Sequence, residues 1–182
     1  MIKKCLLEPC ITTINITILF STTFSGILCA SGDYLAQTFV EKNEKHDFKR
    51  TAKFFFMGAC FIGPGLRAWY GILERNVTGS VKTIALKKMV IDQTLLAPFF
   101  VATFFCLSDG LGGKSISDMR VNLQENYLNT MKVNYYVWPA VQLCNFYFVP
   151  LSHRVLVANV VALFWNTFLA YTVSKKTSQS QL

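Results

Sequence analysis

Mostly apolar blocks of about twenty residues recur along this chain, and its lysines and arginines collect in the short gaps between them. A helix of about twenty residues covers the hydrocarbon thickness of a bilayer, roughly 30 Å. No other feature constrains the fold as strongly. Backbone surrounded by hydrocarbon must pair its N–H and C=O groups internally, and a helix does so within one segment. Only 15% of the 182 residues are charged and 52% are hydrophobic, against about 25% charged in an ordinary soluble domain. The sequence therefore predicts an all-α polytopic membrane helix bundle, a single integral membrane domain over residues 1–182.

The net charge of +8 does not point to nucleic acid. Lys42, Lys45, Lys49, Arg50 and Lys53 fill one gap and Arg75, Lys82, Lys87 and Lys88 the next. Each gap is too short to fold into a DNA-reading domain. Anionic lipid headgroups at the basic loops are the expected partner, and direct nucleic-acid binding is not expected. The six cysteines, Cys5, Cys10, Cys29, Cys60, Cys106 and Cys144, follow no metal-ligand spacing, and neither a disulfide framework nor a cofactor is expected. Lys3 and Lys4 precede an apolar run without a convincing cleavage site, so the first helix is expected to be retained.

Five membrane segments are predicted, at about 14–34, 53–73, 88–107, 135–151 and 155–173. Four spans with one interfacial helix is the alternative. In the first segment Ser25, Cys29, Gly32 and Ala36 share a narrow face where another backbone can come close, the usual way helices pack in lipid. The second holds Gly58, Gly63, Pro64, Gly65 and Gly71, with a kink expected at Pro64, and the third holds Pro98. Ser115 and Asp118 have the form of a helix start. Ile116, Met119, Leu123, Tyr127 and Met131 then recur at helical spacing, which predicts an amphipathic interfacial helix over 115–133. Residues 135–173 would make one helix of roughly 58 Å, so a break is expected around Pro150 and Arg154.

Polar residues inside these segments are the candidate functional groups. Trp138, Gln142 and Asn145 share one helical face, and so do Asn159 and Asn166. Such groups are either interhelical glue or the lining of a pore or cavity, and the spacing leaves both open. Hairpin geometry puts Arg67 and Asp92 in one leaflet, at depths of roughly 6–8 Å, where they can form an ion pair. Arg154 reaches the same side, and Asp33 and Asp109 lie on the other. Snorkelling to the interface is the competing reading for Arg67.

The ordered motifs resemble one family across nearly the whole chain. They are Gly32-Asp33 with Ala36-Gln37; Gly63-Pro64 with Trp69-Tyr70; Lys88 with Asp92-Gln93 and Pro98; Trp138-Pro139 with Gln142, Asn145-Phe146, Val149-Pro150 and Arg154; and Trp165-Asn166 with Leu169. The chain resembles the Mpv-seventeen / peroxisomal-membrane-protein-twenty-two family. Arg67 stands where many members have His or Gly, which removes support for proton sensing there, and Ala170 stands where Ser is common.

The resemblance implies a multi-pass helical protein of the mitochondrial inner membrane, with the peroxisomal membrane as the alternative. It also implies a weakly selective channel tied to mitochondrial DNA maintenance, nucleotide supply and reactive-oxygen metabolism. On that expectation a small solute or ion passes through a pore; a homo-oligomer is a further expected partnership. A non-conducting membrane scaffold or assembly factor is the second reading. An enzyme is not expected: His46 and His153 are the only histidines, neither sits in a catalytic or metal-ligand pattern, and no phosphate-binding glycine loop occurs.

Overall fold

The computed structural model describes residues 19, 22–150 and 153–174, without the side chains of residues 81, 82, 146, 147 and 155. The expectations for the first thirteen residues, for Cys5 and Cys10, for the start of the 14–34 segment and for the Phe146 side chain lie outside that description. Among the described residues all regular structure is helical.

Five long helices follow one another. Helix α1 covers 22–35 and continues in a wider π-turn, Ala36–Val40. Helix α2 runs through Phe48–Met57, the π-turn Gly58–Ile62 and Gly63–Asn76. Helix α3 runs through Val81–Ile91, the π-turn Asp92–Leu96 and Ala97–Leu111. Helix α4 is Ile116–Phe148 and helix α5 is Arg154–Ser174. Thr83–Leu111 and Leu156–Ser174 are long and apolar enough to cross a membrane.

Local chemistry explains the boundaries. Asp47 caps α2 by accepting from the Arg50 N–H at 3.0 Å, and Ser115 caps α4 by accepting from the Asp118 N–H at 3.2 Å. The expected kink at Pro64 takes the form of a π-turn ending beside the proline, and Pro98 has the same arrangement. Proline has no N–H and its ring crowds the carbonyl four residues back, so a wider turn relieves both problems. Val149 is extended, as a residue before proline prefers, and ends α4 at Pro150.

One expected boundary is absent. Helix α4 passes through residue 134 without interruption, so 115–133 and 135–151 are not separate helices. The weakly amphipathic half and the apolar half differ in composition, and that difference does not break a backbone whose N–H groups are all available between Ile116 and Tyr136. Pro139, further on, is accommodated inside the helix. Helices α2 and α3 also begin before and end after the predicted segments, reaching Phe48–Asn76 and Val81–Leu111.

Short connections make successive helices antiparallel neighbours. Helix α3 packs on α4, α4 on α5, and α5 closes on the π-turn of α1. The core is aromatic and aliphatic, with Phe54, Met57, Val101, Phe104, Phe105 and Leu169 fully buried. The stripe of small residues on α1 serves two neighbours. A Cβ on Gly58 of α2 would lie 2.6 Å from the Ser25 carbonyl and 2.9 Å from Cys29 Sγ, and one on Gly32 would lie 2.6 Å from Asn166 Cβ on α5. Backbones this close leave room only for hydrogen at those positions.

Candidate functional site

Two polar regions lie within the bundle. The first is at the end where α1 leads into α2 and α3 into α4. Asp33, with no exposed surface, accepts from Gln37 Nε2 at 2.8 Å and from the Thr51 hydroxyl at 2.7 Å. Arg50 Nε stands 2.6 Å from Asp33 Oδ1 as an ion pair. The guanidinium also grips Glu41 through both terminal nitrogens, at 2.7 Å each. Burial works against the charge on Arg50, but the hydrogen bond to Glu41 and the two nearby carboxylates outweigh it and hold its pKa above the ordinary value. Gln37 ties the connection down further, accepting from the Asp47 N–H at 2.7 Å. Asp109 repeats the theme on α3, where it pairs with Lys114 at 2.7 Å and accepts from Asn122 at 2.6 Å.

The second region is a cavity of about 250 Å³ between the helices, reached by Asp92, Gln93, Asn134, Gln142, Asn159 and Asn166. Tyr70, Phe100, Trp138 and Trp165 supply its aromatic wall, with Trp138 and Trp165 edge to face at 6.3 Å. The π-turn Asp92–Leu96 brings Asp92 and Gln93 to the cavity together. Asp92 is 6% exposed and accepts from Trp69 Nε1 at 2.6 Å, with Tyr70 beside it on the cavity wall. Asn134 donates to Gln93 Oε1 at 2.8 Å, joining α4 to α3. Gln142, Asn159 and Asn166 have no side-chain hydrogen bond to protein among the described residues.

The sequence-predicted residues therefore separate. Gln142, Asn159 and Asn166 come together at the cavity, while Asn145 lies apart. It staples the α4–α5 turn by donating to the Arg154 carbonyl at 2.9 Å, and Arg154 Nε donates to the Val149 carbonyl at 3.1 Å. Gly32, Gly63 and Pro64 serve packing and helix geometry, Gln93 lines the cavity, and Trp69 holds Asp92 from outside it. Pro139 is tolerated within α4 and Pro150 follows its end.

The expected Arg67–Asp92 ion pair is not formed. Arg67 is exposed, and no ion pair among the described residues joins it to Asp92. Equal depth does not ensure contact: Trp69 Nε1 donates to Asp92, while the Arg67 side chain is exposed. Lys88, near Asp92, pairs instead with Glu74. Sequence reasoning missed Arg50 and Asn134 as structural partners. The spacing of Asp33 and Gln37 by one helical turn was the available signal for the first cluster, and nothing local marks Asn134.

Apolar helices around buried carboxamides and carboxylates define an all-helical membrane protein with a polar interior. Its residues 110–170 match the model of the Mpv17 / PMP22 family. The Mitochondrial inner membrane protein Mpv17 of Xenopus laevis is 40% identical over 153 residues, covering 83% of this chain and 86% of the relative. The human protein of that name is 41% identical over 149 residues, covering 81% and 85%. That of Drosophila melanogaster is 39% identical over 150 residues, covering 80% and 89%. No solved structure matches the chain. This protein belongs to the Mpv17 / PMP22 family, and its location is the mitochondrial inner membrane.

Proposed function

We propose that this protein is a conduit for small solutes through the mitochondrial inner membrane, with all five helices crossing and the polar cavity forming part of the path. One observation carries the reading: Gln142, Asn159 and Asn166 face space large enough for water and have no protein partner among the described residues. Polar groups in that situation are satisfied by water, and a polar, roomy cavity with several such groups holds it. The same reading assigns the protein a supporting role in mitochondrial DNA maintenance, nucleotide supply and reactive-oxygen homeostasis, and no catalytic role. Anionic lipids at the basic loops and a second copy of the chain are its proposed partners.

A non-conducting scaffold is the second reading, favoured by the Asn134–Gln93 and Asn145–Arg154 bonds that tie helix to helix. Purified protein in liposomes loaded with a small fluorescent solute separates the two. For a conduit, wild type releases the dye, Gln142→Leu and Asn159→Leu slow the release, and the thermal midpoint in detergent holds. A wild-type protein that releases nothing above empty liposomes defeats the conduit. Both variants losing thermal stability without losing flux points to glue.

A further inference from the structure

A second concavity, of about 350 Å³, opens between α2 and α3 away from the polar cavity's carboxamides. Phe61, Gly65 and Ile72 of α2 and Leu95, Phe99 and Leu107 of α3 shape it. Apart from Thr103, and Trp69 whose indole N–H is given to Asp92, its lining is hydrocarbon. Phe61, Leu95 and Phe99 are 45%, 61% and 69% exposed, so the groove belongs to the outer, lipid-facing surface. Its floor is open at Gly65, where an added Cβ meets nothing within 4 Å.

A cation stands beyond one end of this groove. Phe104 and Leu107 form that end, and the Phe104 ring lies against Phe54 with centroids 6.0 Å apart. Lys53 Nζ is 5.5 Å from the Phe54 ring and donates to the Ser108 carbonyl, next to Leu107, at 3.2 Å. Neighbouring Arg50 and Lys114 are each matched by carboxylates, Arg50 by Asp33 and Glu41 and Lys114 by Asp109. Half-buried Lys53 has no carboxylate partner among the described residues. An apolar groove in the lipid-facing surface, with an ammonium beyond its mouth that no carboxylate among the described residues contacts, is complementary to one amphiphile, an acyl chain carrying a negative headgroup.

We propose that the α2–α3 groove seats an acyl chain of an anionic phospholipid whose phosphate is drawn to Lys53. The groove shares Ile62, Leu66, Leu96 and Phe100 with the wall of the polar cavity but none of its carboxamides, and lipid binding there does not depend on conduction. The full chain in dodecyl maltoside, titrated with dioleoyl-phosphatidylglycerol or dioleoyl-phosphatidylcholine and read by native mass spectrometry, tests it. Wild type should hold the first lipid about five-fold more tightly, the effect of one lysine facing an anionic headgroup. Lys53→Gln keeps a donor for the Ser108 carbonyl and should bring the two lipids to equal occupancy. Gly65→Leu places a side chain in open space, so the fold is retained, and it should lower the occupancy of both.

Equal binding of the two lipids by wild type overturns the proposal, as does an unchanged preference in Lys53→Gln or unchanged occupancy in Gly65→Leu. Displacement of phosphatidylglycerol by inorganic phosphate would show a simple anion site and overturn it as well. So would a Gly65→Leu protein that changes from dimer to monomer while holding its lipid, since the groove would then be a contact between copies of the chain.

Discussion

Asp33 and Asp92 are both carboxylates withdrawn from solvent inside one helical bundle, yet they are held in different ways. Asp33 meets a guanidinium, a carboxamide and a hydroxyl, and through Arg50 it is linked to Glu41. Asp92 accepts from a neutral indole N–H beside a cavity whose wall includes Tyr70. The first arrangement locks the α1–α2 connection and reaches α5, where Arg50 donates to the Ala170 carbonyl at 3.4 Å. The second leaves a carboxylate with a neutral donor and unpartnered carboxamides around it. Charge pairing ties one end of the bundle together, and neutral hydrogen bonding serves its polar interior.

The largest effect should come from removing the cation of the charge-paired end. Arg50→Met leaves the Asp33 and Glu41 carboxylates without their partner, and a broken buried pair costs about 3–5 kcal/mol. Denaturant unfolding in detergent should show that loss; a change below about 1 kcal/mol would mean that the cluster is worth no more than an exposed ion pair. Next comes Trp69→Phe, which takes a donor from Asp92 while keeping an aromatic ring. Its expected cost is about 1–3 kcal/mol, smaller than for Arg50 because the lost donor is neutral and no buried ion pair is broken.

A smaller loss, about 0.6–2 kcal/mol, is expected for Asn134→Leu, which breaks one interhelical bond and frees Gln93. If its thermal midpoint falls as far as that of Arg50→Met, the neutral network holds the bundle as firmly as the charged one, and the contrast fails. The smallest effect belongs to Arg67→Gln. An exposed side chain with no ion pair to Asp92 should shift stability by less than about 0.5 kcal/mol. In a double-mutant cycle with Asp92→Asn its effect should add, without coupling.

Much of the architecture was legible because it follows from local rules. The π-turns fall beside Pro64 and Pro98, the start of α4 falls at Ser115, and its end falls before Pro150. The close face on α1 could be read from Ser25, Cys29 and Gly32, since small residues one helical turn apart mark backbone contact in lipid. Their allocation was not legible: Ser25 and Cys29 approach Gly58 on α2, whereas Gly32 meets Asn166 on α5. Periodicity specifies which face of a helix is special and is silent about which neighbour will occupy it.

The same limit accounts for the site. Residue spacing put Trp138, Gln142 and Asn145 on one face and Asn159 and Asn166 on another, and the meeting of Trp138, Gln142, Asn159 and Asn166 at one cavity required α4 and α5 to pack with those faces inward. Asn145, two turns from Trp138 on the same face, lies beside the turn to α5 and bonds backbone there. Arg67 and Asp92 were matched in depth, which the number of residues from a turn determines, but not in azimuth, which depends on how two helices rotate against each other. Apolar length, proline and capping chemistry act within a few residues along the chain and are written in the sequence. Partner choice among Asp33, Arg50, Asp92 and Trp69 joins residues 17 and 23 positions apart, and it exists only once side-chain packing has set each helix's rotation.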